Sequence, residues 1–166
     1  MNGSLKKYIH QNWDDISKCQ NEKYYFVKIP DDIEKSFSEV QYQLEIEIPE
    51  QLRTFYKNLG YGFLLFNLKQ KKGIYRVLSP EEILDLYFEP DAEDISDEFI
   101  TYRDRAWENL EDKKLLAFCL FGEEDSLLYI GIEDGAVYYL SSARKIANSL
   151  FDFLNLLDKN ADYFMS

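Results

Sequence analysis

Carboxylates are the side chains this chain supplies in greatest excess for doing chemistry: 31 Asp and Glu stand against 19 Lys and Arg, a net charge of -12. They are unevenly placed. Residues 79 to 98 hold Glu81, Glu82, Asp85, Glu89, Asp91, Glu93, Asp94, Asp97 and Glu98 without one base, and residues 115 to 143 hold Glu123, Glu124, Asp125, Glu133 and Asp134, again without a base. Residues 51 to 78 reverse the pattern, with Arg53, Lys57, Lys69, Lys71, Lys72 and Arg76 and no acid. Paired carboxylates serve as acid and base in glycoside hydrolysis, but only when opposed across a cleft; with 31 acids some pair can always be nominated. The run Asp91-Ala92-Glu93-Asp94-Ile95-Ser96-Asp97-Glu98 lacks the central glycine and terminal spacing of an EF-hand loop, so no metal site is assigned. A solvated acidic face remains, whose field opposes nucleic acid and anionic membranes and favours a basic protein partner.

Other reactive groups are sparse. His10 is the sole histidine, and neither a GxSxG elbow nor an active-site cysteine signature accompanies it, so a catalytic triad and a histidine-rich metal site are set aside. Cys19 and Cys119 have neither the number nor the spacing of a disulfide framework or a zinc site, which fits a reducing cytoplasm. Gly60-Tyr61-Gly62 follows a helical pattern and enters a strand, the reverse of the dinucleotide-binding order, so it reads as a helix stop and turn. Lys69 to Lys72 is a basic hairpin tip, an ordinary solubility device. Most of the 13 tyrosines and 12 phenylalanines recur as core residues do, while exposed tyrosines beside acids suit interface anchors. No cofactor is called for.

The elements that must position these groups are legible from periodicity. Leu5, Ile9, Trp13 and Ile16 lie about one turn apart and predict an N-terminal helical extension over about residues 1–29, followed within it by a short YYFVKI strand. Asp31 or Asp32 can cap a helix with the stripe Ile33, Phe37, Val40 and Leu44. Pro49 suits the first position of the next helix, whose apolar face is Leu52, Phe55, Tyr56 and Leu59. GFLLFNL and GIYRVL predict an antiparallel hairpin, and Ser79-Pro80-Glu81-Glu82 opens a short helix with a capping box. The acidic segment 89–98 reads as a loop entering a helix with Phe99, Tyr102, Ala106 and Leu110 on one face. LLAFCLF, LLYIGI and AVYYL read as strands, the last two joined by a turn at Glu133-Asp134-Gly135-Ala136. Ile146, Leu150, Phe153 and Leu157 mark a C-terminal amphipathic helix.

At 166 residues with 46% apolar content, this predicts one domain, 1–166, able to bury roughly two-thirds of its unfolded surface. Its class is α+β, a central antiparallel β-sheet flanked by helices. No apolar run approaches the roughly 20 residues of a membrane span, and no signal peptide is evident, so a soluble cytoplasmic protein is expected.

The order of these units resembles the SUKH superfamily, the SMI/KNR-like domain named after a fungal cell-wall assembly regulator. The resemblance rests on the Ile33 to Leu44 helix, IPEQLRTFYKNLGYGFLLF, the strand leading to LSPEEILDLY, and YIGI-EDGAVYYL followed by SSARKIANSLFDFL, together most of residues 30 to 158. It implies an α+β fold whose motif residues are structural and not catalytic, hence no enzyme. It further implies a bacterial immunity protein, an antitoxin that binds a cognate basic toxin, a nuclease, directly; the alternative is a regulatory scaffold like the fungal members. In the immunity reading the partner-binding residues are Asp91, Glu93, Asp94, Asp97, Glu98, Glu123, Glu124 and Asp125, because carboxylates compete for the positive charges that a nuclease groove uses to hold phosphates.

Overall fold

The computed structural model describes residues 3–14, 16, 23–30, 32–67, 72–88, 97–121, 126–139, 144–161 and 163–164. A 3-10 helix, Gly3–Tyr8, leads into β1 (Ile9–His10) and β2 (Tyr24–Val27). Helices α1 (Ile33–Leu44) and α2 (Glu50–Asn58) precede the hairpin of β3 (Tyr61–Asn67) and β4 (Lys72–Val77). Next come α3 (Pro80–Phe88), α4 (Asp97–Lys113), β5 (Leu115–Phe121), β6 (Ser126–Gly131), β7 (Val137–Tyr139), β8 (Arg144–Ala147) and α5 (Leu150–Lys159). The eight described strands form one sheet in sequence order, antiparallel from β2 to β8, with β1 parallel to β2. The architecture is α+β, as expected, with a mixed sheet because of that first strand.

Alternation assigns the faces near the β2 edge. Tyr24 and Phe26 of β2, Leu64 of β3, and Tyr75 and Val77 of β4 belong to the main core. The Phe26 ring meets Phe55 of α2 edge-on at 5.7 Å, and Tyr75 meets Phe153 of α5 at 6.1 Å. Tyr25 and Val27 point the other way, where Trp13, Ile16, Tyr61 and Phe63 cover them. The central strand β5 is buried along almost its whole length, which is why LLAFCLF reads as an unbroken apolar run.

Local chemistry explains most boundaries. Ser79 and Glu82 form a reciprocal capping box: Glu82 N–H donates to Ser79 Oγ at 3.1 Å and Ser79 N–H to Glu82 Oε1 at 3.2 Å. Gly60 has φ +93°, and a Cβ there would lie 2.0 Å from the Val27 carbonyl oxygen; Gly62 has φ +141° with Tyr25 O at 2.2 Å. Gly60 therefore ends α2, and both glycines let β3 lie against β2. In the β6–β7 turn Asp134 Oδ1 accepts from Ala136 N–H at 3.0 Å, and Gly135 has φ +69°.

Four expectations need correction. The described N-terminal residues do not continue as one α-helix: Gly3–Tyr8 is a 3-10 helix and Ile9–His10 a strand, and Leu5 and Ile9 pack against the main core while Trp13 and Ile16 reach the reverse face. Pro49 occupies the N-cap position of α2, its carbonyl accepting from Leu52 and Arg53 N–H at 3.0 and 3.1 Å. Asp32 is the N-cap residue of α1 but makes no side-chain capping bond, and Asp31 lies outside the described residues. Ile146 belongs to β8; α5 begins after Ser149, whose Oγ accepts from Asp152 N–H at 2.9 Å. RKIA has little of the β-branched and aromatic content that marks a strand, and its pairing with β7 decides its conformation.

Candidate functional site

Of the carboxylates expected to meet a partner, Asp91, Glu93, Asp94, Glu123, Glu124 and Asp125 lie outside the described residues, as do Lys69, Gln70, Lys71 and Cys19. Asp97 and Glu98 open α4, where negative charge suits the positive helix end; their side chains are also outside the description. Of the eight carboxylates expected to meet a partner, only Asp97 and Glu98 are therefore placed, at this helix start.

The described structure assembles a different acidic surface. Leu44, Ile46, Trp107, Leu110 and Ile132 form the floor of a groove of ≈ 530 Å³, rimmed by Glu45, Glu47, Glu111, Glu133 and Lys114. Each part has a local cause. Trp107, Leu110 and Glu111 stand at i, i+3 and i+4 on α4 and so share a face. Glu45 ends α1 in the left-handed conformation, φ 55°, donating its N–H to Gln41 O. Ile46 N–H donates to the same oxygen at 3.2 Å, and Ile48 N–H to Gln41 Oε1 at 3.1 Å, which ties the 45–48 turn down. Lys114, φ 54°, makes the matching left-handed exit from α4, and its carbonyl accepts from Ile132 N–H at 3.0 Å. Helix ends and a hairpin far apart in sequence are thereby locked round one opening.

The floor is half open to water: Leu44 and Leu110 are buried, whereas Ile46, Trp107 and Ile132 are only half-buried. The Trp107 ring is held by edge contacts with Tyr87 and Phe88 at 5.1 and 5.2 Å, and its Nε1–H donates to Tyr87 O at 2.9 Å. Four carboxylates face one ammonium. Lys114 Nζ lies 3.9 Å from Glu133 Oε1, with both side chains mostly exposed, so the pair is weak. Glu45, Glu47 and Glu111 make no ion pair among the described residues.

Among the described residues, the other titratable groups with shifted values serve packing and hydrogen bonding. Burial pushes the Cys119 thiol and the Tyr56 and Tyr87 hydroxyls up, so they stay protonated at neutral pH. Tyr56 donates to Leu78 O at 2.6 Å and Tyr87 accepts from Ala117 N–H at 3.0 Å, which are structural uses. Burial raises Asp134, but the Tyr138 hydroxyl at 2.6 Å, the Ala136 amide and Lys145 outweigh it and hold the carboxyl below its ordinary value. Burial and that hydrogen bond push Tyr138 up to about 12. His10 stacks on Tyr25 with centroids 4.1 Å apart. Among the described residues no group of three His, Cys, Asp or Glu side chains could hold a metal, and no helix is long and apolar enough to cross a membrane.

The sequence runs had drawn attention to acids in blocks, whereas the groove uses acids beside apolar residues that fall off a buried stripe: Glu45-Ile46-Glu47, Trp107 next to the stripe residue Ala106, and Ile132-Glu133. That off-stripe pairing is the signal by which the groove could have been found.

The architecture is an α+β sheet flanked by helices, with an apolar, acid-rimmed groove at one end of α1 and α4. The chain matches the SMI1 / KNR4 family (SUKH-1) over residues 30–156, and it belongs to that family. It is also 32% identical over 139 residues to the protein named Immunity protein YxxD of Bacillus subtilis (strain 168), a match covering 80% of this chain and 84% of that protein. No solved structure gives a significant match. The 3-10 helix, β1 and β2 precede the residues of the family match.

Proposed function

We propose that this chain is an immunity protein, a non-catalytic antitoxin that neutralises a cognate bacterial toxin in the cytoplasm by binding it directly. The observation that carries this reading is the 32% identity to Immunity protein YxxD across most of both chains. Membership of the SMI1 / KNR4 family supports it, and the net charge of -12 indicates a basic partner. A nuclease is the toxin class that fits best, since its substrate groove is positive in order to hold phosphates and a carboxylate surface competes for the same charges. In this reading residues 1–166 act as one domain, nucleic acid and membrane are not ligands, and Asp91, Glu93, Asp94, Asp97, Glu98 and Glu123 to Asp125 steer the encounter.

The test is co-expression with the toxin encoded beside it, with growth as the readout, together with association kinetics of the purified pair. Restored growth and an on-rate that falls with salt support immunity. An on-rate unchanged when the 91–98 acids are neutralised removes those residues from the interface. Stable capture of a cell-wall synthesis complex without any growth rescue moves the chain to the scaffold role.

A further inference from the structure

We propose that the groove between the end of α1, the second half of α4 and the β6–β7 turn seats an apolar side chain of a protein partner that arginines or lysines flank in the partner's sequence. The identification of that partner as the toxin rests on the immunity reading.

The floor supplies the first half of the argument. Ile46, Trp107 and Ile132 leave apolar surface open to water at the centre of a ≈ 530 Å³ hollow, a volume in the range of sites that enclose a ligand. Covering that surface is favourable for any apolar group that fits. Trp107 is already oriented by its hydrogen bond to Tyr87 O and by two aromatic neighbours, so little side-chain freedom remains to be lost on contact.

The rim supplies the second half. Glu45, Glu47, Glu111 and Glu133 surround the floor, and Lys114, the one cation among the described lining residues, is held by one long, exposed pair. An apolar centre within a charged, solvated margin is the anatomy of a protein interface, with the centre providing affinity and the margin register and on-rate. The sign of the margin selects the partner. Acidic peptides and nucleic-acid phosphates are repelled, while guanidinium or ammonium groups gain four carboxylates without displacing a strong internal partner. A metal ion is poorly served, since no three ligating side chains converge among the described residues.

The experiment uses the full chain labelled with nitrogen-15 and two short synthetic peptides of equal length. One carries a leucine between paired arginines and the other the same leucine between paired glutamates. The chain has two tryptophans, and only Trp107 lines the groove, Trp13 packing on the reverse face of the sheet. The arginine peptide is expected to shift the Trp107 indole N–H signal and leave Trp13 unmoved, and the glutamate peptide to shift neither. Glu45→Lys combined with Glu111→Lys, both exposed positions, should weaken arginine-peptide binding by about tenfold or more. Glu45→Gln with Glu111→Gln, run in parallel, guards against a folding effect of the reversal. A motionless Trp107 signal, equal response to the two peptides, or undiminished binding by both double variants overturns the proposal. Growth rescue is scored separately. Wild-type rescue with no Trp107 response removes the groove and leaves immunity standing, whereas a Trp107 response without rescue keeps the basic-peptide groove and removes the toxin as its occupant.

Discussion

Two aromatic regions of this molecule differ in what they leave unsatisfied. On the reverse face of the sheet, Trp13 stacks on Tyr25 at 5.5 Å and donates its Nε1–H to Tyr61 Oη at 3.1 Å, while Tyr25 donates to Asn12 O at 2.8 Å. Arg76 lies 6.0 Å from the Trp13 ring and is paired with Glu82. There the chain's own N-terminal segment covers the apolar surface, and the charge has its counter-ion. At the groove, Trp107 is equally well held, yet the floor beside it stays open and three rim carboxylates have no described ion pair. Similar residue types thus do opposite work. A cluster closed by its own chain contributes stability, and one left open with unbalanced charge has its attraction to spare for a partner.

The sharpest way to break this comparison is to open the closed region. Gly60→Ala places a methyl 2.0 Å from the Val27 carbonyl oxygen at a positive φ; β2 and β3 must separate, and urea denaturation should show a loss on the order of 4 kcal/mol. Trp13→Ala removes the ring that Tyr25, Tyr61, Phe63 and Arg76 pack against, with an expected loss of about 3 kcal/mol in the same measurement. If Trp13→Ala is neutral, the N-terminal segment is an appendage and the contrast with the groove disappears.

Smaller effects test the open region. Glu45→Gly relieves a side chain held at φ 55° and should raise stability by about 0.5–1 kcal/mol, read from the shift in denaturation midpoint. Asp134, in the turn that carries Glu133, probes pH. Its folded-state pKa is depressed, so its stabilisation is present above the unfolded-state value and is lost as pH falls through the folded one. Asp134→Asn should therefore be less stable than wild type at neutral pH, and the difference should shrink once pH drops below 3.8, the ordinary carboxyl value; a gap that does not narrow in acid argues against the linkage. Smallest of all, Glu47→Gln should leave stability within about 0.5 kcal/mol of wild type, consistent with a rim that serves binding and not folding.

How much was legible follows from the range of each interaction. The Ser79–Glu82 capping box, the Ile33 to Leu44 stripe, the glycine stop after α2 and the β6–β7 turn all appeared in the sequence because each is settled within a few residues. In the described part of the N-terminal segment, Leu5, Ile9, Trp13 and Ile16 reproduce a helical period while serving two faces of a sheet, a division that periodicity cannot show. Strand β8 was hidden because four residues with two exposed bases become a strand only by pairing with β7. The acidic blocks located charge along the chain but not the surface that displays it.

By itself the sequence determined the net charge, most helices, the Ser79–Glu82 capping box, the central strands and the family, since these depend on composition, short-range periodicity and the order of units. The tertiary structure alone decided that β1 joins the sheet in parallel and that Trp13 closes its reverse face. It also decided that Leu44 to Glu47, Trp107 to Lys114 and Ile132-Glu133 meet round one groove. Those contacts join segments tens of residues apart, and no linear pattern encodes a juxtaposition that only the packing of helix ends against the sheet brings about.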